Sequence, residues 1–129
     1  MSVSTEDFLE QANRLLAGGN EIDRRSAISR SYYAVYHCAL SAAERLNLPD
    51  AVRRDAGVHE KLIGRFETQS KGLKKLARRL RDSKRARGVA DYDLDELVPV
   101  NEAALVVRGS QLLAADIDRL GRKSLEEIE

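Results

Sequence analysis

Cysteine is all but missing from this chain: Cys38 stands alone, so neither an internal disulfide nor a thiolate metal cage is available. Tryptophan is absent, and four tyrosines and two phenylalanines are the whole aromatic complement. That is too little aromatic surface for a strand-rich core. Only two prolines and eight glycines interrupt 129 residues. No apolar run approaches the roughly 18–20 residues needed to cross a bilayer. The opening Met-Ser-Val-Ser-Thr-Glu-Asp lacks the basic, apolar and small-residue order of a secretory leader. With the lone thiol, this sets the expectation of a cytoplasmic protein with no membrane role. Neither charge sign dominates, with 22 basic against 21 acidic residues, so any polyanion argument must rest on where the charges sit.

What the chain does have is Ala and Leu, 33 residues between them, in helical periodicity. The length suits one domain, with a core over about residues 5–120 and a tail over 121–129. A first helix is predicted from Ser4 or Thr5, with Asp7 completing a capping box, and it ends at Gly18-Gly19-Asn20. A second, the longest, runs from about Asp23 to Leu46 on the spacing of Ile28, Tyr32, Val35, Ala39 and Leu46. Val58, Leu62, Ile63 and Phe66 mark a third. Leu73, Leu76, Ala77 and Leu80 mark a fourth from Lys71 to Arg85. Gly88 to Leu97 reads as a loop, and Pro99 precedes a fifth helix that stops near Gly121. The fold class is all-α: an antiparallel up-and-down bundle of about five helices, with the second and fifth as the central pair.

The charges are unevenly placed. From Lys71 to Arg87, nine basic residues face a single acid, Asp82, for a net of +8. Lys71, Lys74, Lys75, Arg78, Arg79 and Arg81 form a stripe that would attract phosphates and bind nucleic acid without sequence readout. The same stripe also fits a solvated face that pairs with acids of this chain or of a partner. Arg30, Tyr33 and His37 share one helical face, which fits a core face with hydrogen-bonded tips as well as a partner surface. His59 opens the third helix, as a cap, a packing residue or an acid–base group. Asp91, Asp93, Asp95 and Glu102 imitate a calcium loop, but Glu96 stands where the turn needs glycine and Pro99 interrupts it. No metal site and no cofactor are expected. Cys38 lies in an apolar helix, where its thiol is core filling.

Three segments taken in order, Ser26 to His37, Val58 to Phe66 and Arg87 to Asp93, resemble the small prokaryotic HEPN-domain proteins across nearly the whole chain. The resemblance implies a helical bundle that pairs into a homodimer. Its members include metal-independent ribonuclease toxins, often encoded beside a minimal nucleotidyltransferase as antitoxin, and noncatalytic RNA- or nucleotide-binding modules. In the ribonucleases an Arg is followed, after four to six residues, by a His. The Arg holds the scissile phosphate while the His moves a proton.

This chain departs from that signature, because no His follows Arg81, Arg85 or Arg87 at the required distance. An extended form places a Tyr two residues after the His. Arg85, Ala90 and Tyr92 occupy those positions, with Ala where the His belongs. The resemblance therefore makes Arg85, Arg87 and Tyr92 the catalytic candidates, and Tyr92 a candidate for nucleotide transfer from the partner enzyme. An imidazole would have to come from His37 or His59, if folding brings either close. The sequence thus predicts an RNA- or nucleotide-binding protein of a toxin–antitoxin or defence pair, with metal-independent endoribonuclease activity an open expectation. The alternative is a noncatalytic module docking a nucleotidyltransferase or another protein.

Overall fold

A computed structural model describes residues 2–50, 55–67 and 70–123. Residues 124–129 of the expected tail lie outside the described residues. Among those described, five helices and no strands are present: α1 (Thr5–Ala17), α2 (Glu21–Arg45), α3 (Val58–Glu67), α4 (Lys71–Tyr92) and α5 (Val100–Gly121). The all-helical bundle expected from composition and periodicity is what forms.

Local chemistry sets most of the helix ends. Ser4 Oγ accepts the Asp7 N–H at 3.3 Å while the Asp7 carboxylate accepts the Ser4 N–H at 2.8 Å, so the capping box closes in both directions. Gly19 takes φ +85° in the turn that follows α1, a conformation that costs little only without a Cβ. Asn20 caps α2 through Asp23 N–H at 2.9 Å, so α2 starts two residues before the expected Asp23. At its far end Asn47 is left-handed (φ 53°), and the amides of Asn47 and Leu48 reach back to the carbonyls of Glu44 and Ala43. This is a Schellman closure, and it drives Leu48 into the core.

Helix α2 packs against each of the other four, and its contact with α5 is the most extensive in the fold. Small residues permit this close approach: Ala27, Ala34, Ala39 and Ala43 are fully buried along α2. Helices α1 and α4 run antiparallel to α2: Phe8 near the start of α1 meets His37 beyond the short α1–α2 turn, and Ser29 and Tyr32 meet Asp91 and Arg87 in reverse order. Ser31 with Ser110, Cys38 with Ala114 and Arg45 with Gly121 show α5 running in the same direction as α2. The main core joins Val35, Phe66, Leu73, Leu80, Leu113 and Ile117. A second cluster of Ile28, Ala90, Val98 and Ala103 closes the other end of the bundle.

The expected end of α4 is overturned. Gly88 was expected to open a loop reaching Leu97, yet α4 continues to Tyr92 and the loop begins only at Asp93. A mid-helix glycine costs about 1 kcal/mol relative to alanine. Here that cost is offset from another helix: Arg25 of α2 donates to the carbonyls of Val89, Ala90 and Asp93 at 3.0–3.1 Å, and to Glu96 O. The guanidinium thus satisfies carbonyls that a helix end leaves open.

Candidate functional site

The extension of α4 decides what Arg87 and Asp91 can do, because only a continuous helix puts them one turn apart on the same face. The Arg87 side chain turns inward and is 11% exposed. Its guanidinium lies over the rings of Tyr32, Tyr33 and Tyr92 at 5.3, 5.9 and 5.7 Å. The nearest carboxylate, Asp91 Oδ2, is 3.8 Å from Nη1, an ion pair too long for a hydrogen bond. Arg87 Nε is buried with no acceptor at all.

Arg25 and Arg65 behave differently. Arg25 spends its donors on four carbonyls and the Glu21 carboxylate. Arg65 spends its own on Leu48 O, Ala43 O and Glu44. Both are structural clamps. Arg87 holds no hydrogen-bond acceptor among the described residues, although an unmet buried donor is costly.

His59, at the start of α3, completes the cluster. Its Nδ1 lies 2.6 Å from Tyr32 Oη, and its ring packs against Tyr36 at 4.8 Å and Tyr33 at 6.1 Å. Burial, then the positive charges of Arg87 and Lys84, push the His59 pKa below its ordinary value, with Glu60 opposing. The imidazole is therefore neutral at pH 7. Burial raises the Tyr32 phenol well above the usual tyrosine range, so it remains a protonated hydrogen-bonding partner. The 2.6 Å contact serves either His tautomer. The one with its proton on Nδ1 donates to Tyr32 Oη and leaves the Nε2 lone pair free. Glu60 anchors α3 to α4 through Lys84 at 2.7 Å and Arg81 at 2.9 Å.

The remaining predicted residues are dispersed. Arg85 points to solvent, pairs among the described residues only with Asp82 at 3.2 Å, and does not join Arg87. Tyr92 presents one face to Arg87 while remaining 76% exposed. His37 packs between Phe8 and Tyr36 and is not part of the Arg87 cluster. The basic stripe divides three ways. Lys71, Lys74, Lys75 and Arg78 are exposed, with no ion pair among the described residues. Arg79 pairs with Asp116 of α5 at 2.8 Å. Arg81 pairs with Glu60 and Glu67 of α3.

Tyr32 and Ser29 were not singled out from the sequence as site residues. Tyr32 joins Arg87 to His59, and Ser29 Oγ donates to Asp91 Oδ2 at 3.1 Å. Their i, i+3 spacing on α2, one helical turn, was the available signal. Elsewhere, a cleft of about 400 Å³ between α1, α2 and α5 is lined by Phe8, His37, Cys38, Arg45 and Asp118. Burial, with Asp118 and Glu6 adding to it, pushes the Cys38 thiol up to about 11, and Sγ donates to Ala114 O, so the thiol is inert as a nucleophile. No group of three His, Cys, Asp or Glu that could hold a metal is found among the described residues. No described helix is long and apolar enough to cross a membrane. No family model, curated protein or solved structure matches the chain.

Proposed function

We propose that this chain is a HEPN-type RNA-binding protein that holds a phosphodiester on Arg87 and presents His59 as the proton acceptor beside it. The observation that carries the reading is Arg87 Nε, buried without an acceptor inside an aromatic cluster that also holds an imidazole, where Arg25 and Arg65 fill their donors. A planar guanidinium matches two phosphate oxygens, and tyrosine faces suit unpaired bases. His59 Nε2 takes the proton of a ribose 2′-hydroxyl, and the 2′-oxygen bonds to phosphorus. The 5′-oxygen leaves from the opposite side of phosphorus, collecting a proton from water, and a 2′,3′-cyclic phosphate remains. A second copy of the chain as homodimer partner and a role in a toxin–antitoxin or defence pair belong to the same proposal.

The test is binding of a labelled single-stranded RNA followed by fluorescence anisotropy across salt. If about five phosphates are neutralised, affinity falls about 100-fold between about 50 and 200 mM salt. The second reading, a noncatalytic module docking a nucleotidyltransferase or other protein, is favoured by Leu94, Leu97 and Val100, exposed beside Asp93, Asp95 and Glu96. It predicts no RNA retained even at low salt.

The acid–base role has its own signature. Any cleavage persists in chelator, and its rate rises with pH through a midpoint below 6.5, because His59 must first lose its proton and its pKa is depressed. His59→Gln removes that limb. Stability follows the same sign: the unfolded chain holds the His59 proton more tightly, so the folded state gains stability as pH rises towards 6.5 and the term is constant above. A rate that falls with pH across this range rules His59 out as the base.

A further inference from the structure

We infer that Asp91 is the residue by which this site distinguishes ribose from deoxyribose. The inference rests on reading Arg87 as the phosphate holder, and it follows from the order of side chains along α2. Ser29 touches Asp91, Tyr32 and Tyr33 face Arg87, and Tyr36 packs on His59. Successive turns of one helix therefore arrange Asp91, Arg87 and His59 in that order, over about 10 Å. A phosphodiester on Arg87 has one sugar on either side. One faces His59, and the other faces Asp91.

Asp91 is equipped for a hydroxyl. Its contacts all fall on Oδ2, which accepts Ser29 Oγ at 3.1 Å and lies 3.8 Å from Arg87. Oδ1 has no partner among the described residues and the residue is exposed, so a ligand can reach it. A carboxylate so close to an anion site repels a bare phosphate chain. A sugar that presents a donor converts that repulsion into a charge-assisted hydrogen bond. Ribose has the 2′-hydroxyl to donate; deoxyribose leaves the carboxylate facing the backbone unanswered. Ser29 fixes the carboxylate's orientation and is 7% exposed, which makes it the positioning residue.

The experiment compares RNA and DNA oligonucleotides of matched sequence on the full chain by anisotropy at low salt. Wild-type protein binds the RNA about tenfold more tightly, the scale of one hydrogen bond to a charged group. Asp91→Ala brings the ratio close to one, chiefly by gaining affinity for DNA, and Ser29→Ala narrows it in the same direction. Asp91→Asn, which keeps side-chain volume while removing the charge, also narrows the ratio and replaces the alanine variant if that one does not fold. A wild-type ratio near one, or a ratio unchanged in Asp91→Ala and Asp91→Asn, overturns the role of Asp91 while leaving Arg87 as an RNA site. Failure of the wild type to bind either strand overturns the Arg87 reading, and the inference with it.

Discussion

Arg87→Ala is expected to weaken single-stranded RNA binding by about 100-fold, the loss of a bidentate charged contact, and to eliminate any cleavage. The fold should survive. Arg87 donates no hydrogen bond to the described chain, so alanine removes three cation–π contacts and a 3.8 Å ion pair but leaves no carbonyl orphaned. Thermal unfolding followed by circular dichroism checks that side of the prediction, with a stability loss of about 1–2 kcal/mol expected. Arg85→Ala is the internal control. Arg85 lies two residues away, but its guanidinium is in solvent beside Asp82, and its removal should change affinity less than about threefold. Arg87→Lys separates charge from shape: the ammonium keeps the attraction and loses the fork, so binding should be partly retained while cleavage falls. If Arg87→Ala binds like wild type while Arg85→Ala does not, the phosphate lies on the outer face of α4 and the cluster described above has another purpose.

The different surroundings of these two arginines, one in solvent and one turned inward, show where sequence reading stopped. Elements encoded by neighbouring residues were legible. The Ser4–Asp7 capping box, the glycine turn after α1, and the apolar periodicities of α2 and α5 all depend on interactions within a few residues. The end of α4 was not legible, because what sustains the helix past Gly88 is a guanidinium 64–68 residues earlier in the chain. With α4 expected to stop at Arg85, Arg87 had no defined direction. The i, i+4 pairing of Arg87 with Asp91 exists only because the helix runs past Gly88. His59 presented the same difficulty: a histidine opening a short helix acquires meaning only when α3 is laid against Tyr32. The basic stripe was legible as composition but not as function. Arg79, Arg81 and Lys84 answer acids on α5 and α3, which leaves Lys71, Lys74, Lys75 and Arg78 as the exposed part. A run of like charge records how many cations a helix carries; their partners are a tertiary property.

Arg25→Ala is expected to cost about 3 kcal/mol, roughly 10 °C in Tm for a chain of this size, and to be the most damaging single charge deletion in the molecule. Arg25 is 5% exposed, and its fork ties Val89, Ala90, Asp93 and Glu96 carbonyls to α2 while holding Glu21 at 3.3 Å. Glu21 in turn accepts the Val98 N–H at 3.0 Å, and Arg24 Nε donates to Val98 O at 2.9 Å. Alanine would strand these carbonyls in a region closed by Ile28, Val98 and Ala103. Arg25→Lys should recover only part of the loss, since one ammonium cannot span the acceptors of a planar fork. The pH dependence gives an independent check. The Val98 N–H, followed by Arg25, holds the Glu21 carboxyl below its ordinary 4.5, so its contribution is present above that value and is lost as pH falls through the lower folded-state value. Arg25→Ala should flatten this acid limb. Because the clamp secures the turn that carries Asp91 and Tyr92, hydrogen exchange at the amides of residues 89–98 should accelerate in the variant, while exchange in the Phe66–Leu73–Ile117 core changes little. A variant that unfolds within 1 kcal/mol of wild type, or whose 89–98 amides stay protected, would mean that Gly88 is carried through the helix by α4 itself and that the site is not held from α2.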